Sequence, residues 1–425
     1  MSGFEEVRTK LVHYCSSKKV DIGRVARIHA VTFQPLESRK NEDRLVTREL
    51  VVHGQEWLLL AVCDGHCGAS AARYTASHLP SRIRSMLEHL AGTDLQGQLD
   101  RKHVLKHADF ISSELRRCIN DFDRELGHVV ETICPNPTKI SEKEACSLVK
   151  EYPDVLARAC SGTTLAAALV NLTHRLMWAI NVGDSTVALS TADSKGKRIA
   201  HELCTRHTLN DLREYKDVVR RHIGERRVVE SGRVLGMLAM SRVIGDYPLK
   251  MHAAYTRHLF RYLSIVGAPP YIRNSMIRRI RTPPYVTADP SVCFVDLQAL
   301  WNRDPIIMVY SDGIDNLVNG CRYLNPFRET DIIPARAISV LLQDEVDDDV
   351  EELLGYGIDL HWSGEEANRA VDVLGNLLGG TDTSKLQLVV NQDLLADQTV
   401  SPSLYIDDTS LVLCSFARES VAVSS

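Results

Sequence analysis

The chain has 425 residues, 44% of them hydrophobic and 25% charged, with a formal net charge of −5. That balance is ordinary for a soluble globular fold of one large domain or two, and it supplies no global basic field for nucleic acid. The 11 cysteines are scattered and include no Cys-x-x-Cys pair, which argues against a disulfide framework or zinc ribbon and favours a reducing compartment.

No apolar stretch approaches the ~18–20 residues that span a bilayer, so no membrane span is expected. The opening MSGFEEVRTKLVHYC lacks an apolar signal core and carries Glu5 and Glu6 early, unlike a mitochondrial presequence. Cytoplasm or nucleus is the expected compartment. A strand-rich block covers 25–65. Residues 68–90 have helical spacing from just after Gly68. Across 100–160, Val104, Phe110, Ile111, Leu115, Ile119, Phe122 and Leu126 recur at three- and four-residue intervals, predicting helices before a loop around Pro135–Pro137. The stretch 163–190 predicts a hairpin turning near Asn171–Arg175, followed by a strand at 198–204 and a short helix from Asp211 to His222. Asn171-Leu172-Thr173 fits a glycosylation acceptor, but it falls between two predicted strands and is discounted. Residues 231–250 read as a loop leading to a helix, 251–282 as a basic inserted flap, and 286–297 as a Pro-bounded strand. Helical patterns in 335–380 alternate with the acidic run 344–352, which reads as a solvated helix face. No repeat or linker divides the chain, so one domain with insertions is the simpler reading.

Four apolar runs each meet carboxylates at one end. WLLLAVC (57–63) runs into Asp64-Gly65-His66, LMWAINVG (176–183) into Asp184, and IIMVY (306–310) into Ser311-Asp312-Gly313, while Asp407-Asp408 precedes TSLVLCSF (409–416). Glu42-Asp43 adds a further acidic pair before a strand. An ionised carboxylate at the edge of a core is costly, and several gathered together repel one another unless cations sit between them. A lone Asp-Gly is commonly a turn, but this repeated pattern points to a metal site built from hard oxygen donors suited to Mg²⁺ or Mn²⁺. His66 is placed to donate a proton to a leaving group. Cys63 and Cys67, which flank the first motif, read as small buried residues.

The ordered series NEDR (41–44), VCDGHCG (62–68), SGTTLAAAL (161–169), NVGDSTVAL (181–189), RVLGMLAMSRVIGD (233–246), VTADPSV (286–292), VYSDGIDNLV (309–318) and DDTSLVL (407–413) resembles the metal-dependent Ser/Thr phosphatases of type 2C, the PPM-type family. In motif detail it is most similar to the pyruvate dehydrogenase phosphatase branch, which makes the mitochondrial matrix the alternative compartment. The resemblance implies an α+β fold, a four-layer α-β-β-α sandwich with two central antiparallel sheets. It also implies a phosphatase domain over 25–416, with inserted segments near 91–158, 251–282 and 335–400, an N-terminal extension (1–24) and a C-terminal tail (417–425). Asp64 would bridge two metal ions and Gly65 would offer its carbonyl to one of them. Asp312 and Asp407 would ligate the other ion, and Glu42 and Asp43 would act through water. Asp184 would serve a weaker third ion, and His66 would be the general acid. The implied reaction is hydrolysis of phosphoserine or phosphothreonine in a phosphoprotein by water held between two ions; a monomer is the default expectation, to which no motif of the sequence speaks. The alternative is an inactive pseudophosphatase that binds phosphoproteins.

Three positions depart from the family pattern. Where the family carries Trp-Asp after Asp-Gly-x, the chain has Asp315-Asn316. The phosphate-contacting Arg, expected four residues before Glu42, is Ser38, with Arg39 one residue late. Cys67 replaces a small residue without a thiol. Arg233, Arg242 and Asp246 are expected to form a buried ion-pair network supporting the site, and the small residues of 161–169 are expected to serve packing.

Overall fold

Alternation within single strands decides the architecture. In β4 (Gln55–Cys63), Leu58, Leu60 and Val62 enter one core cluster while Leu59, Ala61 and Cys63 enter another. A strand presents successive side chains to opposite faces, so such a strand is buried on both sides. The computed structural model describes residues 3–93, 100–266, 277–321, 324, 332–345, 348–397 and 404–417. Two antiparallel sheets form its centre. The six-stranded sheet runs β1 (Cys15–Ile22), β2 (Ala26–Phe33), β16 (Thr409–Phe416), β15 (Ile306–Tyr310), β9 (Thr186–Ala192) and β10 (Arg198–Glu202). The five-stranded sheet runs β14 (Ser291–Asp296), β8 (Leu176–Val182), β7 (Leu165–Asn171), β4 and β3 (Arg44–Val52). Ile28, Val187, Ile307 and Val412 from the first meet Leu60, Ala168 and Met177 from the second in the layer between them.

Helices cover both outer faces, as the family resemblance implies. On the five-stranded sheet lie α2 (Ser70–Gly92), α4 (Ala108–Ile133) and α6 (Pro153–Cys160), beside the shorter α3 (Arg101–Lys106) and α5 (Glu142–Glu151). Helix α4 buries Ile111, Leu115, Ile119, Phe122, Leu126 and Val130 along one face, at the spacing of a helix packed on a sheet. Helix α5 starts with a capping box between Ser141 and Glu144. On the six-stranded sheet lie α1 (Gly3–His13) and helices at Pro334–Leu341, Arg369–Leu377 and Thr383–Val389.

Two expectations need correction. Residues 3–22 are not an extension outside the domain, because Leu11 of α1 is fully buried in the outer core and β1 pairs with β2 from Cys15↔Phe33 to Ile22↔Ala26. The strand was hidden because CSSKKVDI is an edge strand whose exposed lysines break the apolar pattern, a usual guard against edge-to-edge pairing. The predicted flap over 251–282 is not one unit either. Its first half forms α9 (Ala253–His258) and a 3₁₀ turn (Phe260–Val266) that bury Leu259, Phe260 and Leu263 in the helical core. Ile277 and Ile280 join a separate small core with Leu235, Val243 and Tyr285, and 267–276 lie outside the described residues. So do 346–347 of the acidic run, whose last five residues, 348–352, open the helix Asp348–Leu354. Asn171 is fully buried and donates to Gln55, so the sequon is closed. Among the described residues no helix is long and apolar enough to cross a membrane.

Candidate functional site

Sheet register gathers the acids. In the five-stranded sheet, Val62 of β4 lies opposite Ala166 and Leu165 lies opposite Val182, so the residues leaving β4 and β8 emerge at one end. In the six-stranded sheet, Tyr310 sits opposite both Leu411 and Thr186, which brings the exit of β15 beside the entry to β16. Asp64, Asp184 and Asp312 meet at this edge, each with a carboxylate oxygen within 4.8 Å of the others. Their loops are tightly held. The Asp64 carbonyl accepts from Thr164 N at 2.8 Å and from Thr163 Oγ1 at 3.0 Å, and Asp64 N donates to Thr164 Oγ1 at 3.2 Å. Gly65 has to be glycine, since a Cβ there would lie 2.6 Å from the Glu42 carbonyl oxygen.

The cluster fits a cation. Among the described residues no lysine or arginine forms an ion pair with the carboxylate of Asp43, Asp64, Asp184 or Asp312, Arg44 reaching Asp43 only at its backbone carbonyl, and both carboxylate oxygens of Asp43 and one of Asp184 are buried without a hydrogen-bond partner. Burial first, and then the charges of Asp43, Asp312 and Asp184, raise the Asp64 pKa well above the carboxylate range. Burial and the charges of Asp184 and Asp407 do the same to Asp312. Asp43 rises to about 7, mainly through burial and the charges of Asp408 and Asp407, tempered by nearby serine hydroxyls. Buried like charges without a counterion are what an oxygen-liganded divalent ion neutralises.

Asp407 stands apart from this trio. Its Oδ1 accepts from Arg39 Nη2 at 2.8 Å and from Tyr405 Oη at 2.9 Å, and the Arg39 guanidinium lies 5.2 Å from the centre of the Tyr405 ring. Asn316 does not face the cluster as a free donor, because its Oδ1 accepts from Asp407 N at 3.2 Å. Glu42 accepts from Gly68 N with both oxygens, at 3.0 and 3.2 Å. Asp408, which the sequence reading paired with Asp407 without a role, is buried and anchors the 42–43 loop. It accepts from Glu42 N at 2.7 Å and from Gln34 Nε2 at 2.5 Å.

His66 Nε2 is 2.6 Å from Asp246 Oδ2. The expected network of Arg233, Arg242 and Asp246 does not form. Arg242 pairs with Glu214 and Asp289, Arg233 donates to the Met237 carbonyl, and Asp246 is given to His66. The residue that sequence reasoning missed is Gly162, in the small sheet of β5 (Gly65–His66), β6 (Gly162–Thr163) and β13 (Ile244–Gly245). A Cβ on Gly162 would lie 2.2 Å from His66 Nε2 and 2.5 Å from Asp246 Oδ2. Behind Asp246, the buried Asp123 accepts from Gly245 N at 2.8 Å and takes both oxygens to Lys250 Nζ, each at 2.8 Å.

Two antiparallel sheets between helical layers, with a cluster of buried carboxylates suited to a divalent cation at one end and a histidine–aspartate pair beside it, define the class of fold and site. Residues 144–321 match the protein phosphatase 2C family. The chain is 33% identical over 293 residues to the mitochondrial pyruvate dehydrogenase (acetyl-transferring) phosphatase 1 of Saccharomyces cerevisiae, covering 67% of this chain and 44% of that protein. It is 24% identical over 274 residues to the probable protein phosphatase 2C 40 of Arabidopsis thaliana, covering 61% of this chain and 48% of that one. The chain thus spans about half the length of the curated relatives it matches. The solved serine-threonine phosphatase 2C of Toxoplasma gondii shares the fold, with a TM-score of 0.52 at 13% identity over 95% of this chain and 99% of that one. The chain belongs to the protein phosphatase 2C family.

Proposed function

We propose that the chain is a protein serine/threonine phosphatase that hydrolyses phosphoserine or phosphothreonine esters with Mg²⁺ or Mn²⁺ held by its aspartates. The observation that carries this reading is the meeting of Asp64, Asp184 and Asp312, from three separate strand ends, within 4.8 Å, with His66 two residues after Asp64. Bound ions supply the positive charge that offsets the phosphoryl oxygens and activates water. Asp64, Asp184 and Asp312 would hold them, with the Gly65 carbonyl and Asp407 alongside and Glu42 and Asp43 acting through water. Asp184 is assigned to this main cluster, as its place beside Asp64 and Asp312 supports. With Asp246 accepting from Nε2–H, the remaining Nδ1–H of a protonated His66 is the position from which a proton passes to the departing serine or threonine oxygen. Asp246 and Gly162 are positioning residues for that transfer.

The substrate is a phosphoprotein. Relatives named as mitochondrial pyruvate dehydrogenase phosphatases favour the mitochondrial matrix over the cytoplasm or nucleus, and cell fractionation with an antibody to the chain tests that assignment. Hydrolysis of a phosphothreonine peptide by the purified chain with Mn²⁺, abolished by EDTA, tests the activity. One observation favours a second reading, a phosphoprotein binder without turnover: Asp407 is occupied by Arg39. Calorimetry separates the two. If Arg39 blocks the centre, Arg39→Ala binds Mn²⁺ more tightly than wild type and gains turnover.

A further inference from the structure

Away from the carboxylates, a cavity of about 430 Å³ is lined by Arg226, Arg227, Arg278, Arg279 and Arg281, with Glu225 and Leu235 completing its wall. In a chain of net charge −5, five guanidinium groups around one hollow repel one another and create a local positive potential. The nearby acids are otherwise engaged. Both oxygens of Glu225 lie 3.0 Å from Tyr285 Oη, and the Thr282 hydroxyl donates to one of them. Glu230 takes Arg279 Nη1 at 2.6 Å, which also donates to the Leu235 carbonyl at 2.7 Å. The side chains of Arg226, Arg227, Arg278 and Arg281 have no hydrogen-bond or ion-pair partner among the described residues, the Arg281 backbone N alone donating to Tyr285 Oη at 2.7 Å.

The wall is firmly built. Tyr285 stacks on His222 with ring centroids 4.4 Å apart, and a Cβ on Gly236 would come within 2.9 Å of Arg279 Nη1. It is also continuous with the catalytic side, since Tyr285 N donates to the Leu249 carbonyl at 2.9 Å and Val243 N to the Thr287 carbonyl at 2.7 Å. Those bonds tie it to the segment that carries Asp246. Among the described residues no aromatic side chain lines the cavity, so they offer no platform for a base or sugar. Planar guanidinium forks match phosphate oxygens in pairs.

We propose that this cavity is a docking subsite for a phosphorylated protein segment, taking a phosphate other than the one hydrolysed. The inference rests on the phosphatase reading for the identity of its partner. The test is fluorescence anisotropy of a doubly phosphorylated peptide with the full chain in EDTA, where the metal-free aspartates repel phosphate and binding reports the arginines. The phosphopeptide is expected to bind more tightly than its unphosphorylated form and more weakly as salt rises. The pair Arg226→Ala and Arg278→Ala should weaken it about tenfold, with an unchanged thermal melt and unchanged Mn²⁺-dependent hydrolysis of p-nitrophenyl phosphate. Equal phosphopeptide affinity in wild type and variant would overturn the proposal. Binding of tripolyphosphate with none of the phosphopeptide would also overturn it, in favour of a small-anion site. Arginine-dependent peptide binding by a wild type that hydrolyses nothing would uphold the docking site and remove the phosphatase reading.

Discussion

His66 Nε2 and Asp246 Oδ2 lie 2.6 Å apart, joining residues separated by 180 positions in the chain. Burial by itself would lower the His66 pKa, but the charge and hydrogen bond of Asp246 raise it above 6.5. The protonated ring, the form able to donate, therefore persists to higher pH.

Replacing Asp246 by Asn removes that charge, so His66 should lose its proton at lower pH. The alkaline limb of the kcat–pH profile is then expected to move down, with kcat at pH 8 falling about tenfold or more. The same linkage has a sign for stability. A raised histidine pKa stabilises the fold fully below 6.5, and that contribution is lost as pH rises through the folded value. Asp246→Asn should therefore lower Tm more at pH 5.5 than at pH 9, as scanning calorimetry would show.

Gly162→Ala places a methyl against two side-chain tips, His66 Nε2 and Asp246 Oδ2. Tips can move where backbone cannot, so the fold should survive while the pair is forced apart. A loss of kcat of roughly 100-fold is expected, with Mn²⁺ affinity by calorimetry close to wild type. Unchanged kcat would show that the pair has no part in turnover.

The metal-free centre should behave as a set of strained carboxylates. Asp43 carries a pKa raised from 3.8 to about 7, so the folded state binds the extra proton and the EDTA-treated protein loses stability as pH rises between those values. Added Mn²⁺ should then raise Tm more at pH 8 than at pH 5. Asp43→Asn should raise the Tm of the metal-free protein at pH 8, by roughly 1 °C for each kcal/mol of repulsion removed in a chain of 425 residues.

Lys250 and Asp123 form a buried pair behind the site, 7% and 9% exposed. Removing one partner strands the other, so Lys250→Ala should cost about 3–5 kcal/mol in a denaturant titration. Because Asp123 also holds Gly245 N, the pH profile of the surviving folded enzyme should shift in the direction seen for Asp246→Asn.

Strands β4, β7, β8 and β15 were legible because both faces are buried and the apolar run is unbroken, and the acids were legible because they interrupt such runs. Strand β1 was not, since an edge strand with two adjacent lysines has no apolar alternation to read. Nor was Gly162, whose constraint comes from side chains 96 residues upstream and 84 downstream and leaves no local pattern. The partner of Asp246 was misassigned for a related reason. Arg233 and Arg242 are near in sequence, but the left-handed backbone of Asp246, at φ 52°, turns its carboxylate to His66 instead. Asp407 fell in the expected loop, yet its pairing with Arg39 depends on a guanidinium one residue away from the family position.

If the aspartate cluster holds divalent metal for phosphoester hydrolysis, as proposed, turnover depends on both the metal and its ligands. The most direct measurement is turnover of a phosphothreonine peptide by wild type and Asp312→Asn, each with Mn²⁺ and with EDTA. The account predicts turnover only in wild type with metal, and a loss of about 1,000-fold or more in the variant on the scale of removing a preorganised electrostatic group. Turnover that survives EDTA, or an Asp312→Asn variant as active as wild type, would contradict it.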